Sequence, residues 1–324
     1  MSHPERARPS GGESVDTIAE PPALAEKRAE SLAEFAARHG LTQSAARPPL
    51  RAYVRQLWQR RVFIWNFASA KSMSMYTSSR LGQVWQVLTP LLNAGVYFLV
   101  FGVLLGTNKG VTNYTAFLIT GVFVFTFTQR SLTAGAKSIG NHLSLIRALH
   151  FPRASLPFAY VIVELQQLLI SMVVLAVLVL VTGEPLSPRW LLVVPALALQ
   201  LVFNIGISLV VARMGAFVRD IQQLLPFVTR AWLYFSGIFF MIATLPEREG
   251  LRDYPWIGDL LQANPASVYI ELVRTALIDS YRDDLAAYSW GYAHLWWYAL
   301  AWALVAFVGG FWYFYRAEDR YGRG

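Results

Sequence analysis

Residues 217–240 read FVRDIQQLLPFVTRAWLYFSGIFF. The stretch opens on adjacent charges of opposite sign, Arg219 and Asp220, passes Pro226, and becomes an apolar, aromatic-rich run. Proline is tolerated in the first turn of a helix, where its missing N–H would be unpaired anyway. The pattern predicts a polar loop feeding a membrane helix that starts at Pro226 and yields to another structure near Ser236-Gly237. Past it, residues 246–288 mix polar and apolar positions, are acidic, and contain Asn264-Pro265.

Working outward, the composition fits a chain of many membrane spans. It is 55% hydrophobic and only 15% charged, against about 25% charged in soluble domains. Six apolar runs are expected as spans: 84–105, 114–134, 156–181, 190–211, 226–243 and 292–315. Most hold enough residues to cross about 30 Å of hydrocarbon at helical rise. The fold expected is therefore all-α and polytopic. Residues 1–49 read as a disordered tail with no apolar leader, and 316–324 as a short C-terminal tail. Residues 50–80 alternate Arg51, Arg55, Arg60, Arg61, Lys71 and Arg80 with aromatic and aliphatic residues, the signature of an amphipathic helix in the membrane interface. The transmembrane domain then covers 81–315.

Charge sets the orientation. Lys137, Arg147 and Arg153 lie between spans two and three with no acid, and Arg213, Arg219 and Asp220 lie between four and five. On the other side, residues 246–288 hold eight acids against four bases. The positive-inside rule puts both termini in the cytoplasm. Trp296/Trp297 and Trp312/Tyr313 stand roughly 24 Å apart along span six, close to the spacing of two interfacial aromatic belts.

Chemistry-bearing motifs are sparse. No phosphate-binding glycine loop, no zinc-binding H-E-x-x-H and no G-x-S-x-G occurs, and cysteine is absent. This chain is therefore expected to bind neither nucleotide nor metal. Strongly polar residues noted inside the spans are Asn93, Glu164, Gln166, Gln167, Gln200 and Asn204. The amides read as helix-joining groups. Glu164 reads as a packing or snorkelling carboxylate, although an intramembrane acid is by default a functional candidate. Residues 137–153 predict a short amphipathic helix along one membrane face, ended before Pro152.

These residues together resemble a family. Arg80-Leu-Gly-x-x-Trp85 with Pro90 and Tyr97-x-x-x-Phe101-Gly102 precede Asn141-x-x-x-Leu145-Ile146, Phe151-Pro152-Arg153 and Pro157. Phe217-x-Arg219-Asp220-Ile221, Pro226, Ser236-Gly237-Ile238-Phe239-Phe240, Pro246, Asn264-Pro265 and Arg274 follow. Their order across residues 51–315 is similar to the membrane subunit of ABC-2 type polysaccharide exporters, which include O-antigen, teichoic acid and galactan exporters. The chain departs from the family pattern at 66–79, where Lys71 stands almost alone among Ser and Met in place of a more basic stretch.

The resemblance implies a homodimeric permease in the bacterial inner membrane, with two separate ATPase subunits that bind ATP and Mg. It implies a substrate of polysaccharide on a polyprenyl-pyrophosphate lipid, and no bound cofactor in this chain. Asn141, Leu145, Ile146, Arg147, Phe151, Pro152 and Arg153 would couple to the ATPase. Arg60, Arg61, Lys71 and Arg80 would receive the anionic head group, since basic side chains suit phosphate. Tyr97, Phe98, Phe123, Phe125, Phe127, Trp232, Tyr234 and Phe235 would line a channel. Short re-entrant helices in 246–288 would form an external gate. Rival readings are an ABC-2 permease for another lipid or small molecule, a proton-coupled carrier, and a lipid-dependent glycosyltransferase recruiting Asp253, Asp259, Asp283 and Asp284. Sparse midplane carboxylates argue against the carrier.

Overall fold

A computed structural model describes residues 38, 48–75, 82, 84–106, 110–149, 151–218, 220–247, 254, 256–288 and 291–321. The chain divides into a unit of residues 1–47, of which Arg38 alone is described, and a unit of residues 48–324. The predicted disordered tail thus lies outside the described residues, apart from Arg38, Pro48 and Pro49.

The second unit is all-helical among its described residues. Its helices are α1 (Leu50–Gln59), α2 (Arg61–Ser74), α3 (Val84–Tyr97), α4 (Tyr114–Ser138), α5 (Leu143–Ala148) and α6 (Ser155–Val181). They continue as α7 (Val193–Phe217), α8 (Ile221–Tyr234), α9 (Trp256–Ala263), α10 (Pro265–Leu277), α11 (Asp279–Ala287) and α12 (Leu295–Tyr315). A π-helical turn extends α3 over Phe98–Leu104, and a 3₁₀ turn, Pro188–Leu192, opens α7.

Among the described residues four helices are long and apolar enough to cross a membrane: Val87–Leu104, Ser155–Val181, Pro188–Phe217 and Leu295–Tyr315. The other two predicted spans are built differently. α4 has 25 residues, and most are buried by protein on all sides. It packs on α6, α7, α10, α8 and α3, so it can carry Thr, Gln and Arg without presenting them to lipid. Span five is a correction. Its helix begins at Ile221, leaving Pro226 inside it, and ends at Tyr234 after 14 residues. That length rises only about 21 Å, short of the hydrocarbon core. The chain then turns at Gly237, whose φ of +65° favours glycine, and continues as buried turns to the 3₁₀ segment Ile242–Glu247.

Two ends of the bundle can be told apart. Residues 48–60, the α4–α6 connection, the end of α7 and residues 316–321 gather at one, the terminal end. Phe217 stacks on Tyr321 there, and Tyr315 donates to the Pro48 carbonyl at 2.7 Å. The α3–α4 and α6–α7 connections and α11 meet at the opposite end. The interior is held by close backbone approach: a Cβ at Gly310 would strike the Gly206 backbone, so α7 and α12 touch along their axes. The interface region is two helices, broken at Arg60. α1 buries Tyr53 and Leu57 and exposes Arg51, Val54, Arg55 and Trp58; α2 buries Ile64, Ala68 and Ser72 against α6. Residues 316–321 are not a free tail. Ala317, Glu318 and Tyr321 are buried, and Tyr321 stacks on Phe314.

Candidate functional site

At the terminal end, α4 runs into a 3₁₀ turn, Gly140–His142, and then α5. The helix stops at Ala148, ahead of Pro152 as expected. Asn141, Ser144, Arg147, Ala148 and Leu149 are exposed, Leu145 is half-buried, and only Ile146 of α5 is buried. A six-residue helix with one buried side chain contributes little to its own bundle. Phe151 packs on Phe63 of α2 at 6.0 Å between centroids, and Pro152 is buried. Arg153 donates through its backbone N–H to Glu318 Oε1 at 2.9 Å and through its guanidinium to the Glu318 carbonyl.

Of the basic residues named for the head group, Arg60, Arg61 and Lys71 are described. Arg60 is exposed at the break between α1 and α2, and Arg61 lies over the Trp58 ring at 5.2 Å. Lys71 sits in the last turn of α2, partly buried. Arg80 and Arg219 lie outside the described residues, as does Asp253. Asp259 and Asp283 are exposed, and Asp284 accepts from Thr112 N–H and hydroxyl at 2.8 and 2.6 Å. That engagement leaves Asp284 with an obvious structural task.

The aromatics divide into two groups. Tyr97 meets Phe239 edge-on at 5.0 Å, Phe239 stacks on Phe101 at 4.1 Å, and Tyr234 completes the cluster at 5.5 Å from Phe239. Phe98 packs on Tyr114, while Tyr234 and Phe235 are 44% and 62% exposed at the end of α8. These form a surface where span one meets the turn after α8. By contrast Phe123, Phe125 and Phe127 are buried within the chain, as dispersion and close packing would have it, with Phe125 edge-on to Trp232 at 6.0 Å.

Three features have roles that the sequence did not show. The first is Arg130, a charge inside α4. Its Nη1 donates to Gln167 Oε1 at 2.9 Å across to α6. Beside them lies a cavity of about 20 Å³ for the centre of a water-sized sphere, lined by Pro90, Phe123, Phe127, Arg130, Glu164 and Ser171 among others. That is room for one or two waters. Glu164 is 7% exposed and its Oε2 has no partner among the described residues, so a water is the natural occupant. The spacing Phe123, Phe127, Arg130 on one helical face was the available signal. Of the five amides expected to join helices, three do: Gln167 takes Arg130 of α4, Gln166 reaches Ser69 of α2, and Gln200 reaches the Val124 carbonyl and Thr128 hydroxyl. Asn93 is exposed, and Asn204 is buried with neither side-chain atom hydrogen-bonded among the described residues.

The second is Arg274, fully buried in α10. It donates to the carbonyls of Phe117, Gly237 and Ile238 at 3.1, 2.8 and 3.1 Å and to Glu271 at 2.9 Å, and lies 3.4 Å over the Phe117 ring. Asn264 caps α10 by accepting from Ala266 N–H, accepts from Trp232 Nε1 at 2.8 Å, and donates to the Phe235 carbonyl at 3.0 Å. Pro265 supplies the first helical position, where its lack of an N–H costs nothing. So α10 is a short helix buried among α4, α7 and α12, and its cap holds the turn after α8. Irregular backbone at membrane depth must be enclosed by protein in this way.

The third is Glu184 at the opposite end. It accepts from Asn113 Nδ2 at 3.0 Å, from Ser280 N–H at 3.1 Å and from the Ser280 hydroxyl. Burial pushes its carboxyl up, but the Ser280 and Asn113 hydrogen bonds outweigh this and hold it below the usual carboxylate value. Among the described residues no group of three or more His, Cys, Asp or Glu could hold a metal ion.

A bundle with four long apolar helices around a buried short helix is that of a multi-pass membrane protein. Residues 64–278 match the family model for the ABC-2 type transporter. The chain belongs to that family. It is 30% identical over 183 residues to an O-antigen export system permease protein RfbA of Klebsiella pneumoniae, covering 56% of this chain and 68% of the relative. It is 26% identical over 196 residues to the protein of the same name from Myxococcus xanthus, covering 60% and 74%.

Proposed function

We propose that this chain is the transmembrane subunit of an ATP-driven exporter that moves a cell-envelope polysaccharide, carried on a polyprenyl-pyrophosphate lipid, out across the bacterial inner membrane. The family match and the names of the relatives support the export of polysaccharide. Two copies of the chain would form the path, and two ATPase subunits holding ATP and Mg would drive it. The terminal end faces the cytoplasm on this reading, because its connections carry the basic excess.

The observation that carries the reading is α5. It is exposed, contributes one buried side chain, and hangs between α4 and α6 at the end where an ATPase would dock. A push there would reach both helices directly. Asn141, Leu145, Ile146, Arg147 and Phe151–Arg153 are the coupling segment. Arg60, Arg61, Lys71 and Arg80 are the basic surface for the head group. Tyr97, Phe98, Trp232, Tyr234 and Phe235 supply the aromatic side of the path, and residues 246–288, pinned by Arg274, its external gate. Sugar rings slide over such surfaces because flat apolar faces cover CH groups without holding any one ring tightly.

Depletion of the chain in its own host tests the function. Lipid-linked polymer should accumulate on the cytoplasmic side while surface polymer falls. Unchanged surface polymer would overturn the proposal.

A further inference from the structure

Tyr53 and Glu318 stand 265 residues apart in sequence and meet at the terminal end. Tyr53 Oη donates to Glu318 Oε2 at 2.9 Å and accepts from the Ala154 N–H at 3.2 Å. Glu318 Oε1 accepts from the Arg153 N–H, and the Arg153 guanidinium donates to the Glu318 carbonyl. Tyr53 is 1% exposed and Glu318 4%. The Tyr53 ring packs against Tyr315 and Phe311 of α12 at 5.2 and 5.9 Å. Three segments are joined here: the first helix, the residues that follow α5, and the turn after α12. Both residues lie outside the part of the chain that matches the family model, 64–278.

We propose that Tyr53 and Glu318 are positioning residues for energy coupling. They clasp α1 and the C-terminal turn onto Pro152–Ala154, so that the segment met by the ATPase, the interface helix and the last span move as one body. This rests on the reading of 141–153 as the ATPase contact. The physical reason is that a push on α5 alone would be absorbed by bending at Leu149 and Phe151, which are not helical. Tying Arg153 and Ala154 to two further elements stiffens the point where the push enters α6. Buried, fully bonded polar groups transmit displacement well, because breaking them leaves desolvated partners.

The carboxylate also makes the clasp sensitive to pH. Burial pushes Glu318 up to about 7, against the hydrogen bonds of Arg153 and Tyr53, which favour its charged form. The groups that face it are Arg153 from the segment before α6, Tyr53 from α1, and Asp319 and Tyr321 from its own turn. Arg213 of α7 lies close to Tyr321 electrostatically and donates to the Tyr313 carbonyl. With a folded value above the ordinary 4.5, its contribution is complete below 4.5 and is lost as pH rises through about 7.

The test uses the permease purified with its ATPase subunits, and cells complemented with each variant. Tyr53→Phe keeps the ring and removes the hydroxyl. Glu318→Ala removes the acceptor, and Glu318→Gln keeps the shape and one acceptor oxygen. The expected result is an intact complex with ATPase within about twofold of wild type, and export lowered about fivefold by Tyr53→Phe and Glu318→Ala, the effect of roughly one buried hydrogen bond. Glu318→Gln should restore most export and flatten the dependence of export per ATP on cytoplasmic pH between about 6 and 8. Wild-type export from both Tyr53→Phe and Glu318→Ala overturns the proposal. So does a parallel fall in export, ATPase and assembly for Tyr53→Phe, which marks the pair as merely structural. A separate arm, Leu145→Asp, checks the coupling segment. If it changes neither assembly nor export, the ATPase contact lies elsewhere and that reading fails, whatever the clasp variants do.

Discussion

Glu184 and Glu318 are both buried glutamates that tie three segments together, one at each end of the bundle. Glu184 gathers Asn113 and Ser280, and its hydrogen bonds win over burial, so it stays charged. Glu318 gathers Tyr53 and Arg153, yet burial wins and its carboxyl titrates near neutrality. The difference lies first in desolvation, which is much heavier at Glu318, and then in the donors. Ser280 gives two and Asn113 one to Glu184. The carboxylate of Glu318 receives one from a backbone N–H and one from a phenol. The opposite end is thereby a fixed roof, and the terminal end a joint whose strength varies with pH.

The largest effect should come from breaking the roof at Arg274. Arg274→Ala leaves Glu271 and three buried carbonyls without their donors, which costs roughly 3–5 kcal/mol. Thermal unfolding of the detergent-purified protein should show it. Arg274→Lys should fail to rescue, since one ammonium cannot match the guanidinium fork. Glu184→Ala comes next, at about 1–3 kcal/mol for the stranded Asn113 and Ser280 donors.

The pH dependence sharpens the contrast in sign. Glu184 has a depressed value, so its stabilisation is present above the ordinary 4.5 and is lost as pH falls through its lower folded value. Glu318 does the reverse, losing its contribution as pH rises through about 7. Unfolding midpoints of Glu184→Gln and Glu318→Gln against wild type should diverge in opposite directions, the first as pH falls below about 4.5 and the second as it rises from about 4.5 through about 7. The smallest effect is expected from Asn264→Ala, about 1 kcal/mol for a lost helix cap. It should also free Trp232, which a change in tryptophan fluorescence would report.

Much of the fold was legible. Apolar length located four crossing helices, and the Pro152 boundary was readable from local rules. Span five differs from the expectation because residues 226–243 are mostly apolar despite Arg230, and hydropathy measures burial rather than helix. The helix stops at Tyr234 because Gly237 turns the chain and Asn264 takes the Phe235 carbonyl, a partner 29 residues away. Arg130 was overlooked because the expected span tolerates no charge; its counterpart Gln167 is on another helix. The Phe123, Phe125 and Phe127 stripe shows the same limit, since an aromatic run looks alike whether it faces a path or a core. Tyr53 and Glu318 could not be paired from sequence, because nothing local records a contact across 265 residues.

The central claim is that the ATPase drives the terminal end through α5. The chain has no cysteine, so a single Arg147→Cys variant gives one reactive site on the exposed face of that helix, and Asp283→Cys gives a control at the opposite end. A thiol-to-amine cross-linker applied to the purified exporter should join position 147 to the ATPase subunit, with a yield that changes between nucleotide-free and ATP-bound states, and leave position 283 unlinked. Cross-linking of the ATPase to 283, or none at 147 in any nucleotide state, would contradict the account.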